Sequence, residues 1–206
     1  MFKAMQELKG KVSTGERGFT LVELLIVVAI IGILAAIAIP QFAAYRIRGF
    51  NASATSDVRN VATGEEALFA DTASYGSTAS AVLAPAAAAT PGALVTGPLN
   101  GAIVATAGGQ LRNVQGAVAF SVGNGVNLIS NGTVVAGTYT NYTIGSKHTN
   151  GDRCYARDSD AQAMYTANNA PGTLLVAAGT DAPPAVINSL VWVGTTTGTC
   201  VTWVVQ

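Results

Sequence analysis

The chain has 206 residues, which is enough for one folded domain with an appendage but not for two full domains. Its formal net charge is zero and only 11% of its residues are charged, so it has no basic field of the kind that binds nucleic acid. Half of its residues are hydrophobic and 23 are glycine, which indicates small-residue β structure joined to one very apolar segment.

The N-terminal region has a polar start followed by a long apolar run. In Met1–Gly18 the basic residues outnumber the acidic ones, with Lys3, Lys9, Lys11 and Arg17 against Glu7 and Glu16. From Phe19 to Ile39 the sequence is almost unbroken apolar and, as a helix, would span about 31 Å, the thickness of a bilayer core. The positive charge before this run predicts an N-terminus in the cytoplasm and export of everything after Pro40.

Three interpretations of the apolar run are compatible with the residues alone. A secretory signal peptide would be cut after the run, at a small-residue site. A plain single-pass anchor would not need Glu23, whose carboxylate costs about 2.5–3.5 kcal/mol at the centre of a membrane helix and less near the interface. Cleavage before the run would keep the helix in the mature protein.

The apolar pattern continues past Pro40 on one face of a helix. Apolar residues recur at spacings of three and four, as in an amphipathic α-helix, at Ala43, Ile47, Phe50, Ala54, Val58 and Val61. The polar residues among them, including Asn51 and Asp57, are expected largely on other sides. The sequence thus predicts a transmembrane part over 19–39 and an amphipathic part over 40–72, with the helix ending near Asp71–Ser74.

Gly32 and Pro40 are the expected break points of this helix. Glycine lowers helix stability, and proline at position 40 removes a hydrogen bond to Ala36.

The remainder of the chain predicts a loop followed by a sheet. Residues 73–112 are rich in Ala, Gly, Pro, Ser and Thr and predict an αβ-loop with little regular structure. Residues 113–206 alternate short apolar runs with glycine turns, and Asn131-Gly132 predicts a hairpin turn because both residues accept positive φ. The fold class is α+β, with a long N-terminal helix packed on a C-terminal antiparallel β-sheet domain.

Cys154 and Cys200 are the two cysteines of the chain. In the cytosol they would remain thiols, whereas export would favour a disulfide. A disulfide would close a loop of about 46 residues, worth roughly 3–4 kcal/mol in the chain-entropy model.

The segment Gly-Phe-Thr-Leu-Val-Glu at Gly18–Glu23, followed by an apolar run that ends in Pro40, resembles the signal of type IV pilins. The resemblance extends from about Arg17 to Asp71 and is greatest to the long-helix pilins of deltaproteobacteria. It implies that residues 1–18 are a leader, which prepilin peptidase removes by cutting after Gly18. It also implies methylation of the new N-terminal residue, Phe19.

The resemblance implies roles for other residues as well. Glu23 would pair with the Phe19 amine of a neighbouring subunit, a buried pair that sets register; the alternative is a glutamate that reaches the lipid headgroups. Gly32 to Pro40 would melt into extended chain in the filament, and Cys154 and Cys200 would form a disulfide. In shorter relatives, aromatics along the helix have been proposed to carry charge; here they are Phe42, Tyr45, Phe50, Phe69 and Tyr75.

Other sites of chemistry have weak signals. His148 is the only histidine and is expected on a solvated loop. Asp152, Asp158 and Asp160 form an oxygen-rich stretch that could bind calcium, but their spacing fits no EF-hand. There is no phosphate loop and no acid–base or nucleophile constellation. We therefore expect no catalysis, metal or cofactor.

The sequence thus predicts a structural subunit of type IV pili that polymerises with itself for adhesion, twitching motility or DNA uptake. Its expected partners are prepilin peptidase, the inner-membrane platform and assembly machinery, and the inner membrane before assembly, with no nucleic acid as a stable partner. Its expected location is the inner membrane and then the extracellular pilus. The alternatives are a minor pilin, a type II secretion pseudopilin, or a membrane-anchored periplasmic binding module.

Overall fold

The longest element is the helix α1, Leu21–Thr72, which ends where the apolar periodicity predicts. The computed structural model of the chain describes residues 18–79, 95–96, 108–161, 163–171, 200 and 203–205. The chain divides into two units, residues 1–44 and 45–206. In the first unit, the described residues are a short non-helical stretch at 18–20 and the beginning of α1.

The helix α1 continues through Gly32 and Pro40, so neither residue ends it, and a bend or loosening at these positions stays a prediction. Proline leaves one carbonyl without its helical donor, but the turns on both sides keep their own hydrogen bonds, and such prolines are tolerated in membrane helices. The melting of this segment in a filament stays a prediction.

The described residues of the second unit form two antiparallel sheets. One has three strands in the order β1-β3-β4 and the other has six in the order β2-β5-β6-β7-β8-β9. The strands are β1 (Ser77–Ala79), β2 (Val95–Thr96), β3 (Gly108–Arg112), β4 (Ala117–Ser121), β5 (Val126–Val135), β6 (Thr138–His148), β7 (Arg153–Asp158), β8 (Met164–Asn168) and β9 (Val204–Val205). The α+β class with a helix packed on antiparallel sheets is confirmed. The region 73–112 is more regular than expected, because β1, β2 and β3 lie in it.

One face of α1 and the inner faces of the sheets form the main core. Ala54, Val58 and Val61 are fully buried, as the periodicity predicts, and they pack with Leu128 and Ile144 of the larger sheet. Ala43, at the beginning of the predicted apolar face, is exposed. The amphipathic face is therefore confirmed from Ala54 onward.

The hairpin between β5 and β6 turns at Ala136-Gly137 and not at Asn131-Gly132, where the sequence predicted it. Both turn residues have positive φ, 51° and 85°, as in the two-residue turns that match strand twist. Gly132 lies within β5, where a Cβ would come 2.5 Å from the ring of Tyr139. This glycine is thus explained by close packing against an aromatic ring rather than by a turn.

We expect Ala136→Asn to raise the free energy of unfolding by about 0.5–1 kcal/mol, because alanine is strained at positive φ and asparagine tolerates it. Chemical denaturation of the full chain in detergent measures the change. Gly137→Ala is the matched control, and it should destabilise the chain. If both substitutions had the same sign, backbone strain at this turn would not be the cause.

A disulfide joins Cys154 and Cys200, the pairing that the resemblance implied, with their Cα atoms 6.2 Å apart. Both cysteines are fully buried and pack with Ala156, Tyr165 and Trp203. This second cluster is separate from the helix-facing core, so the bond ties position 200 to β7. The apolar runs at 173–179 and 189–194, which the sequence predicts as further short strands, lie outside the described residues. The last apolar run, 200–206, is also predicted as a strand, and β9 occupies part of it.

Replacing both cysteines, Cys154→Ser with Cys200→Ser, is expected to lower the free energy of unfolding by roughly 3–4 kcal/mol, because the bond closes a loop of 46 residues. Thermal unfolding with and without a reductant measures this. The reductant should lower the midpoint of the wild type and leave that of the double variant unchanged. Equal midpoints for the two proteins without reductant would contradict the prediction.

Candidate functional site

The N-terminus of α1 is capped by side chains at its own beginning. Thr20 precedes the first helical residue, and its backbone N–H donates to Glu23 Oε2 at 2.9 Å. In return the backbone N–H of Glu23 donates to Thr20 Oγ1 at 3.3 Å, and the Thr20 hydroxyl donates to Glu23 Oε2 at 2.8 Å. This reciprocal arrangement is a capping box, with Thr20 at the N-cap and Glu23 at the third helical position.

The capping box gives Glu23 a local role that the sequence analysis missed. Its signal was present, since Thr-Leu-Val-Glu at 20–23 matches the Ser/Thr-x-x-Glu pattern that precedes an apolar run. The carboxylate satisfies a backbone donor that the helix leaves open, and its negative charge lies at the positive end of the helix dipole. Capping does not require a charge, however, because glutamine serves at the same position.

The apolar side chains after Glu23 have no partner surface among the described residues of the first unit, 18–44. Phe19 is 89% exposed, and the large apolar residues from Leu21 to Ile39 are each more than half exposed. By length and composition α1 could cross a membrane, and it is the one helix among the described residues that could. Such a surface in water would be costly, so it indicates an apolar environment of lipid or of other helices.

The fold does not account for glycine at position 18 or 32. A Cβ added at either position would meet no atom within 4 Å, and neither residue has the positive φ that favours glycine. Gly18 is exposed and lies outside the helix, next to Phe19. The bond between Gly18 and Phe19 is therefore in irregular, accessible backbone.

Four polar side chains of α1 attach the helix to the sheets of the second unit. Asn51 donates to Asp152 Oδ1 at 2.6 Å, and Asp57 accepts from the backbone N–H of Gly123 at 2.8 Å. Asn51 and Asp57 are buried, which corrects the expectation that they lie on other sides of the helix. We call these two, together with Glu65 and Glu66, the polar clamps.

Glu65 is the most buried of the polar clamps. It is fully enclosed, and its carboxylate accepts from the Gly76 backbone N–H at 2.8 Å and from the Ser130 hydroxyl at 2.6 Å. Burial raises the pKa of Glu65 to about 8, against the lowering effect of these two hydrogen bonds. Its neighbour Glu66 accepts from the Tyr142 hydroxyl at 3.0 Å. Local periodicity did not reveal these contacts.

His148 is not on a solvated loop, which corrects the sequence-based expectation. It is the last residue of β6 and is buried, with its ring stacked on Phe50 of α1 at a centroid distance of 4.3 Å. Its Nδ1 accepts from the backbone N–H of Asn150 at 3.0 Å. Burial lowers the pKa of His148, so the ring is neutral at pH 7 and serves packing.

The aspartate-rich stretch is engaged by protein groups. Asp152 Oδ1 accepts from the Asn51 amide, and Asp158 Oδ1 accepts from the Ser159 hydroxyl and from the Asp160 backbone N–H at 3.3 Å each. In the part of the chain that the structure describes, no group of three or more His, Cys, Asp or Glu residues could hold a metal ion.

Comparison with known proteins bears on the N-terminal segment. Residues 13–39 match the family model of the prokaryotic N-terminal methylation motif. The chain is 48% identical over 59 residues to the type IV major pilin protein PilA of Myxococcus xanthus. Its N-terminal segment is similar to that of type IV pilins. The capped helix start, the accessible bond after Gly18 and the exposed apolar face all lie in this segment of similarity.

Other curated relatives are also pilus proteins by name. The chain is 57% identical over 51 residues to a fimbrial protein of Pseudomonas aeruginosa, and 40% identical over 94 residues to the fimbrial protein EcpC of Eikenella corrodens. The chain matches the first relatives over only 27–36% of their own length. The matches to PilA and to these two fimbrial proteins span 25–46% of this chain. No solved structure matches significantly. The similarity to pilins is thus established for less than half of the chain.

Proposed function

We propose that the chain is a structural subunit of a type IV pilus. Before assembly it is held in the inner membrane by α1, with its N-terminus in the cytoplasm. Prepilin peptidase cuts after Gly18, the amine of Phe19 is methylated, and the inner-membrane platform and assembly machinery polymerise the subunit with itself. The filament is extracellular and serves adhesion, twitching motility or DNA uptake. In this role the chain is not an enzyme and needs no cofactor.

The observation that carries this proposal is the order of features at the N-terminus. An accessible Gly18–Phe19 bond is followed by the capped helix start and then by an apolar helix whose large side chains are each more than half exposed. Glycine at position 18 has no explanation in the fold, but it permits the close backbone approach that a protease needs. A secretory signal would be cut after the helix and a plain anchor not at all, so neither makes use of these features.

Glu23 fits the same proposal. Cleavage creates an α-amino group at Phe19, and this group supplies a cation for the carboxylate of a neighbouring subunit. A buried ion pair contributes register more than net stability, because both charges lose water. Register is the property that a filament of identical subunits needs.

The experiment is the isolation of filaments sheared from cells that express the chain, followed by mass analysis of their main subunit. The expected result is an abundant subunit that begins with N-methylated Phe19. An intact Met1 terminus in a membrane protein absent from filaments would overturn the proposal and favour an anchored periplasmic module. A processed N-terminus at low copy in filaments would instead favour a minor pilin or a pseudopilin.

A further inference from the structure

The exposed charges on α1 within the second unit are segregated along the helix. Arg46 and Arg48 are exposed near its beginning in this unit, and Glu66 and Asp71 are exposed near its end. Arg59, also exposed, lies between them. The exposed surface of α1 in the second unit is therefore positive at one end and negative at the other, although the whole chain has a net charge of zero.

Helical geometry places opposite charges in line. Arg48 and Glu66 are separated by five turns, so they project from the same side of α1 about 27 Å apart. This distance is several Debye lengths at physiological ionic strength, about 8 Å each. The two charges of one chain therefore cannot neutralise each other.

The negative end is a surface of carboxylates and aromatic rings, which we call the acidic patch: Glu66, Phe69, Tyr75 and Asp160. The Phe69 and Tyr75 rings stack with centroids 4.5 Å apart, and Phe69 is 40% exposed. Glu66 accepts from the hydroxyl of Tyr142, whose ring lies 4.9 Å from that of Tyr75, and the backbone N–H of Ser159, next to Asp160, donates to the Tyr142 carbonyl at 3.0 Å. These contacts place both carboxylates near the aromatic rings. Carboxylates beside aromatic faces suit an arginine, which can form hydrogen bonds and stack at once.

At the positive end of this surface lie Arg46 and Arg48, which we call the basic patch. Each of these arginines lies beside an aromatic ring. The Arg46 guanidinium lies 5.7 Å from the centre of the Phe50 ring, and that of Arg48 lies 5.5 Å from the centre of the Tyr45 ring. Both residues remain exposed, so their charge is available to a partner.

We propose that the acidic patch of one copy docks the basic patch of a second copy, displaced along the helix axis. Two different surfaces meet in this contact, so it does not close on itself and repeats into an open filament. After cleavage, residues 19–206 contain seven Lys and Arg against nine Asp and Glu, and a net charge of −2 is small enough for copies to approach with little overall repulsion. The inference rests on the proposed function, since it assigns the electrostatic contact between subunits of the filament.

The test is charge reversal in cells, with filaments counted after shearing and the processed chain measured in the membrane. Arg48→Glu alone and Asp160→Arg alone should each lower the filament yield by about tenfold or more. Arg48→Glu combined with Asp160→Arg should restore the yield to within about twofold of wild type. Arg153→Glu is the matched control, because it reverses an exposed arginine on β7 outside both patches, and it should leave the yield unchanged.

A second measurement does not depend on charge reversal. Arg48→Cys combined with Asp160→Cys should give ladders of linked chains when filaments are treated with a short thiol-reactive cross-linker. Arg48→Cys alone should give no ladder, since the native cysteines are joined in a disulfide.

Three outcomes would overturn the inference. Single reversals could leave the yield unchanged, or the paired reversal could remain as defective as the singles while the chain is folded and processed. Loss of the Arg48→Glu chain from the membrane, without rescue by Asp160→Arg, would assign the basic patch to anionic lipid headgroups. A wild-type chain that forms no filaments would instead refute the proposed function itself.

Discussion

Cells that carry Glu23→Gln are expected to lose their filaments while they still insert the chain and cleave it after Gly18. Glutamine can accept the Thr20 N–H as glutamate does, so the capping box at the start of α1 survives. What disappears is the charge that, in the proposed filament, pairs with the Phe19 amine of a neighbour. An unpaired buried amine costs about 3–5 kcal/mol at every subunit contact, so we expect filaments below detection.

The matched control is Thr20→Ala, which removes both hydroxyl contacts of the capping box and keeps the carboxylate. Loss of an N-cap costs the helix about 1 kcal/mol, which lipid or neighbouring helices can absorb, so filaments should form. Filament counts by electron microscopy and the N-terminal mass of the membrane form are the measurements. Normal filaments with Glu23→Gln but none with Thr20→Ala would assign Glu23 to capping alone.

Glu65→Gln is expected to stabilise the fold at pH 8 and to reduce its dependence on pH. The pKa of Glu65 is raised from 4.5 to about 8, so the folded state holds a proton that the unfolded state has lost. The free energy of unfolding is therefore highest below pH 4.5, falls as pH rises, and is lowest above about pH 8. At about 1.4 kcal/mol per pKa unit, the difference is on the order of 5 kcal/mol.

Glutamine is suited to this site because the site does not require a charged side chain. Its carbonyl can accept from Gly76, and its amide can donate to the Ser130 oxygen. The measurement is thermal unfolding of the full chain in detergent between pH 5 and pH 8. The pKa of Asp57 is also raised by burial, so a smaller dependence of the same sign should remain.

The control for this prediction is Glu66→Gln, which changes the neighbouring exposed residue and keeps an acceptor for Tyr142. It should leave most of the pH dependence in place. A wild-type chain equally stable at pH 5 and pH 8 would contradict the buried, protonated state of Glu65.

The sequence predicted what depends on local pattern. The end of α1 and the burial of Ala54, Val58 and Val61 follow from helical spacing, and the α+β class follows from the change to short β runs. The capping box was equally local, and its pattern was readable at Thr20 and Glu23.

The local sequence pattern could not predict the polar clamps. Asn51, Asp57 and Glu65 are polar, so periodicity placed them toward solvent or gave no signal, yet each is buried by a partner 65 to 101 residues away. The prediction of a hairpin turn at Asn131-Gly132 was wrong for a related reason. Its turn propensity was outweighed by β pairing, because Gly132 leaves room for the Tyr139 ring. His148 likewise became a packing residue through contact with Phe50.

The capping box defines the start of α1 by residues that lie after the Gly18–Phe19 bond, where we propose that the chain is cut. Thr20, Glu23 and the carbonyl that begins the helical ladder all lie after Gly18. The proposed removal of residues 1–18 would therefore take away none of the groups that hold the helix end, and the cleaved chain would keep the same first turn. The chemical change would be confined to Phe19, whose new amine would stand one residue from the capped helix terminus, so that each proposed subunit would bring its charge to assembly at a set position.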